Sequence, residues 1–143
     1  MPLKDCPFTK LTKERIPKPR LPVSVINPDT GLFVRTFALI DTGADECAVP
    51  ADFAALLGHN FEAGSRKTII TGNGESIAFS HTTTFIIYHP SLPYDIAYTI
   101  PNTPIDFMPN LPVVLLGVKS FLSKFILNID YPREFFSIRY PQE

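Results

Sequence analysis

An aspartate, Asp41, stands directly after the apolar run Phe37-Ala38-Leu39-Ile40 and opens the triplet Asp41-Thr42-Gly43. Such a run reads as a buried strand, and a carboxylate at its end is costly in a core and cheap in a cleft. In a cleft it is a candidate for acid–base work on a bound substrate. The same triplet occurs a second time, at Asp29-Thr30-Gly31. That copy follows Asn27-Pro28, both turn formers, and strand-like runs holding Val23, Val25, Leu32 and Val34 flank it. It reads as a hairpin turn. Were both triplets reactive, one chain would carry two catalytic aspartates. The stretch between them spans only one hairpin, too little to build a second lobe. Asp41 is therefore the candidate and Asp29 the turn.

The elements that must position Asp41 are short and β-rich. Residues 22–40 read as a hairpin around 28–31. Further strand-like runs follow with turn signals between them, which predicts a small all-β barrel or sandwich with one or two short helices. One helix is expected near 51–57, with Pro50 suited to its first turn and Gly58 to its end. A second short helical turn is expected over 118–122. Residues 67–70 and 76–79 flank Thr71-Gly72-Asn73-Gly74-Glu75, a hairpin with glycines at its tip, and 82–89 continue its second strand. Residues 90–112 hold six prolines, which predicts an extended excursion around a strand at 95–100. Residues 125–130 and 135–140 form a closing hairpin. Its large apolar side chains suit burial against a second subunit or packing under the same subunit's barrel, and the sequence leaves both open.

A chain of 143 residues suits one domain, or half of a symmetric assembly. The net charge of −1 gives no strong electrostatic case for nucleic acid. The charge is uneven, however. Lys4, Lys10, Lys13, Arg15, Lys18 and Arg20 face only Asp5 and Glu14 in the first twenty residues. With Pro2, Pro7, Pro17 and Pro19, residues 1–20 read as a basic, mostly irregular arm, and 21–143 as the folded domain. The arm reads as a solvated tail or as a docking arm. Cys6 and Cys47 make no disulfide framework. His59, His81 and His89 lack metal-ligand spacing, so no metal or cofactor is expected. No signal peptide and no bilayer-spanning apolar run are seen, so no membrane partner is expected and the cytoplasm is the default compartment. Met1 is read as the start of a stand-alone protein.

The segment FALIDTGADECAVP resembles the active-site segment of aspartic proteases, and Ala44-Asp45 after the glycine makes it similar to the retroviral-type, or retropepsin-like, branch. The resemblance covers roughly residues 21–140. It rests on four pieces in order: the hairpin leading to Asp41-Thr42-Gly43-Ala44-Asp45, the glycine-tipped hairpin, the Leu115-Leu116-Gly117 triplet, and a short helix before terminal strands. It implies a homodimeric endopeptidase that cleaves extended peptides, with one Asp41 from each subunit. Peptide hydrolysis needs a base for the water and an acid for the carbonyl oxygen and leaving amine. Two adjacent carboxylates supply both, because they cannot both ionise at contact distance; the paired aspartates of aspartic proteases are the established case.

The resemblance also implies a role for each neighbour. Gly43 permits the turn and brings its N–H near the carboxylates. Thr42 cross-links the two loops at the dimer base. Asp45 bonds substrate backbone beside Ala44. Leu115, Leu116 and Gly117 support the loop from beneath. Ile70, Thr71, Gly72, Asn73 and Gly74 form a flap that closes over substrate, and Ile69, Ile70, Ile77 and Phe79 either line side-chain pockets or simply pack their strands. The chain departs from viral members in several places. Val118 stands where they carry a bracing arginine, followed here by Lys119. Asn73 lies between the tip glycines, and the proline-rich segment has no viral counterpart, so bacterial and cellular relatives are nearer. Ala44 replaces the hydroxyl residue of pepsin-like enzymes, which predicts activity at mildly acidic to near-neutral pH. The alternative reading is a catalytically silent dimeric module that binds peptide or protein.

Overall fold

The computed structural model describes residues 2–11, 16–72 and 74–143. Ten strands run in the order β1 (Leu3–Pro7), β2 (Arg20–Ile26), β3 (Phe33–Ile40), β4 (Cys47–Pro50), β5 (Ser65–Thr71), β6 (Gly74–His89), β7 (Leu92–Met108), β8 (Val114–Leu116), β9 (Ile126–Asp130) and β10 (Phe135–Arg139). One short helix, α1 (Phe53–Leu56), follows β4. Among the described residues no helix is long and apolar enough to cross a membrane.

Six strands close into the expected barrel in the order β2-β3-β8-β4-β7-β6, with β6 pairing back onto β2. Closure removes the unpaired edges that an open sheet would expose. Alternating side chains fill the interior, among them Val23, Val25, Ala38, Ile40, Phe85, Ile87, Ile105, Phe107, Val114 and Leu116. β5 lies outside the closed ring and, among the described residues, pairs with β6 alone. A second sheet, ordered β1-β10-β9, packs its Leu3, Phe136 and Ile138 into the same core.

The Asp29 triplet lies in the β2–β3 turn. The Asn27 side chain accepts the Asp29 N–H at 2.9 Å, an Asx turn. Gly31, at φ +76°, takes the left-handed conformation that closes it. Helix α1 is a single turn ending near Gly58, at φ +74°. The glycine-tipped hairpin is tighter than the sequence suggests, since Thr71 pairs with Gly74 across the tip.

Three expectations are corrected. The first twenty residues are not irregular throughout, because β1 pairs with β10 and buries Leu3 and Cys6; Lys13 and Arg15 lie outside the described residues. The proline-rich segment is not an excursion but one 17-residue strand, β7. Pro93 and Pro101 fall where the register with β6 breaks, and all three strand prolines (with Pro104) precede Ile105, where β4 first joins the other side of β7. The second helical turn is longer than expected, with turn over 118–121 running on into a 3-10 turn at Leu122–Lys124. The closing hairpin resolves the open alternative in part. Phe136 and Ile138 are buried under their own subunit, whereas Phe135 on the opposite face and Tyr131 in the β9–β10 turn, edge-on to Phe8, remain exposed.

Candidate active site

Strand β3 carries Asp41 to the end of the barrel. β8 lies parallel to it, with Ala38, Leu39 and Ile40 opposite Val114, Leu115 and Leu116, and the Asp41 N–H reaches the Leu116 carbonyl at 3.2 Å. The chain then turns back on itself. The Ala44 N–H bonds the Asp41 carbonyl at 3.2 Å, and the Gly43 N–H bonds Asp41 Oδ1 at 2.9 Å. It re-enters the barrel as β4, which pairs with the opposite edge of β8 at Ala48–Leu115. β8 is thus threaded between the two arms of the loop that holds the carboxylate.

That threading leaves no room beneath the loop, and Gly117 occupies the tightest point. A Cβ there would overlap the Glu46 carbonyl oxygen and crowd that of Ala44. Its N–H points to Cys47 Sγ at 3.4 Å. Burial pushes the Cys47 thiol up to about 11 despite the lowering effect of this bond, so the sulfur stays a neutral, weak acceptor. Beyond Gly117, the Val118 N–H bonds the Ala44 carbonyl at 2.9 Å and the Lys119 N–H bonds the Asp45 carbonyl at 2.8 Å. Lys119 Nζ also lies 3.4 Å from Glu46. Backbone bonds and one exposed ion pair therefore brace the loop within the protomer, with Val118 contributing only its N–H.

Gly43 is needed for space and not for an unusual backbone angle. It is absent from the positive-φ positions, but a Cβ would sit 3.3 Å from the Asp41 carboxylate it bonds. Asp41 and Ala44 are half-buried, while Thr42, Gly43 and Asp45 are exposed. The carboxylate is held from below and open from above.

The structure brings Asp41, Gly43, Ala44 and Asp45 together with Leu115, Leu116 and Gly117. It does not pack the hairpin tip on them. Ile70, Gly72 and Gly74 are exposed, Ile70 by 83%, and Asn73 lies outside the described residues. Gly74 needs to be glycine for its φ of +102°, whereas a Cβ on Gly72 would meet nothing. Phe79, one of the candidate pocket residues, packs on Phe61 with ring centroids 4.6 Å apart. A cavity of about 610 Å³ lined by Arg20, Arg35, Phe37 and Pro93 includes no residue of the Asp41 loop.

Two groupings escaped the sequence reading. The His59 and His81 rings lie 4.9 Å apart, and each meets Phe107 edge-on, at 5.4 and 5.1 Å. Asp106, 4% exposed, lies in the apolar strand β7 and binds Lys67 at 2.8 Å and Ser80 Oγ at 3.2 Å. The signal for Asp106 was an acid between Ile105 and Phe107 inside a strand pattern. Its partners are 26 residues or more away in sequence, so only the fold pairs them.

A solved structure of a retropepsin-like aspartic protease from Rickettsia conorii is similar to this chain, with a TM-score of 0.57. The fold is retropepsin-like. The likeness spans 85% of this chain and 91% of the other at 23% identity. No protein-family model matches the chain, and no curated protein matches it. The closed six-strand barrel is in keeping with that fold.

Proposed function

We propose that the protein is a homodimeric aspartic endopeptidase in which Asp41 and its symmetry mate share one proton. The observation that carries this reading is the Asp41 carboxylate itself. Its Oδ1 is held by Gly43 N–H and its backbone by the β8 crossing, yet it stands beside the exposed Thr42 and Gly43 on an open surface. A buried structural acid would be enclosed, and a solvated surface acid would not be braced. A two-fold axis beside Thr42 puts a second, identical carboxylate opposite the first.

The ionised aspartate takes a proton from water as the water oxygen bonds to the peptide carbon. The protonated aspartate gives its proton to the carbonyl oxygen, forming a neutral gem-diol. The first aspartate then passes the water-derived proton to nitrogen while a diol hydroxyl returns a proton to the second. The C–N bond breaks, and the dyad again holds one proton. Gly43 N–H steadies the carboxylate through both steps. The pair titrates as a unit. Asp45 serves the substrate backbone, and residues 70–74 of the β5–β6 hairpin act as a flap that excludes water.

The test is cleavage of a complex peptide mixture across roughly pH 3–8, wild type beside Asp41→Asn, read by mass spectrometry and paired with sedimentation. Cuts made only by the wild type, with a specific rate that falls as the dimer is diluted, are expected. A folded dimer that cuts nothing at any pH would leave a peptide-binding module.

A further inference from the structure

We propose that the Lys67–Asp106 ion pair is a latch that sets how the β5–β6 flap sits against the barrel, making both residues positioning residues for peptide hydrolysis; this rests on the endopeptidase reading above. β5 is an edge strand whose only sheet neighbour among the described residues is β6, so backbone pairing alone leaves the arm one line about which to bend. Its base is fixed. A Cβ on Gly64 would overlap the Ser80 carbonyl and the His81 ring, and Phe61 packs on Phe79. Lys67 stands just above that base and reaches past β6 to Asp106 on β7 at 2.8 Å. Beyond Lys67 the arm runs free to the exposed Ile70 and Gly72.

Asp106 is an anchor suited to this task. Ser80 of β6 donates to the same oxygen that Lys67 binds. On its other side Asp106 pairs with Ala48 of β4, the strand that leaves the Asp41 loop. The carboxylate of Asp106 thus ties the flap arm to β7, and its backbone lies in register with the strand that leaves the candidate catalytic loop. A buried ion pair adds little net stability over apolar residues of equal volume, so its contribution is the fixed geometry across three strands. The Lys67 side chain is 38% exposed, which places the cation at the water boundary, where the pair can open.

The test is amide hydrogen exchange without substrate, together with peptidase kinetics, on Lys67→Met, Lys67→Arg and Asp106→Asn. Lys67→Met is expected to speed exchange over residues 68–77 about tenfold while β2 and β3 keep wild-type rates. KM should rise about threefold or more with kcat within about twofold. Lys67→Arg should restore both. Asp106→Asn, which keeps the shape and removes the charge, should repeat the rise. Unchanged exchange in the arm, or an equal increase throughout the barrel, would overturn the latch. A wild type that cuts nothing overturns the endopeptidase reading alone, because exchange reports on the arm independently of activity.

Discussion

Two glycines with the same lack of a side chain do different work beside Asp41. Gly117 lies under the loop against backbone oxygens, which cannot move aside without undoing the β8 crossing. Gly117→Ala should therefore destabilise the fold by about 3 kcal/mol or more, measured by chemical denaturation. Gly43 faces only the carboxylate it bonds, at 3.3 Å from a Cβ. Gly43→Ala should fold nearly as well as the wild type but lose about a hundredfold in peptidase rate through displacement of Asp41. Ala44 carries a third consequence. Its N–H and carbonyl serve the loop, and it has no hydroxyl to bond an ionised dyad. The rate should peak at mildly acidic to near-neutral pH, and Ala44→Ser should move the acid limb lower by stabilising the charged form. A wild-type profile peaking below about pH 3 would refute this account.

At the scale of elements, the base of the β5–β6 hairpin holds a pH-sensitive contact. His59 is kept below its ordinary pKa, first by burial and next by the neighbouring His81, with Asp29 opposing them. Its Nε2 is buried with no hydrogen-bond partner among the described residues. A histidine whose folded pKa is lowered binds protons more weakly than in the unfolded chain. Its contribution is therefore fully present above the unfolded value of about 6.5 and is lost as pH falls from there through the folded value. Denaturant midpoints measured from about pH 8 down to about 5 should fall over that window. His59→Phe, which keeps a ring against Phe107, should flatten the slope. A slope that survives the substitution would assign the dependence to other groups.

At the scale of the whole molecule, the terminal sheet decides whether the N-terminal arm is part of the fold. Leu3 is 1% exposed and lies opposite Ile138. Leu3→Ala should cost about 3 kcal/mol by thermal or denaturant melting, where a solvated tail would show no change. The outer face of that sheet leaves Phe135 exposed, and among the described residues β9 pairs with β10 alone.

Much of this arrangement is written in local pattern. The Asp29 turn, the β3 run into Asp41, the glycine-tipped hairpin and the closing hairpin each depend on neighbours within a few residues. Turn chemistry and apolar alternation act at that range. The prolines of β7 misled the sequence reading because a proline forbids only an interior strand position, and which stretch of the edge stays open depends on where β4 begins. The N-terminal arm misled it because β1 is made a strand by β10, at the other end of the chain. The carboxylate of Asp41 was legible as a candidate from its own sequence surroundings. Its bracing by Gly117, the Lys67–Asp106 pair and the His59–His81 contact were not, because each joins side chains far apart in sequence. The sequence by itself determined which residues could do chemistry and the strands that carry them; the tertiary structure alone decided which of them meet, because strand pairing across the closed barrel sets those distances.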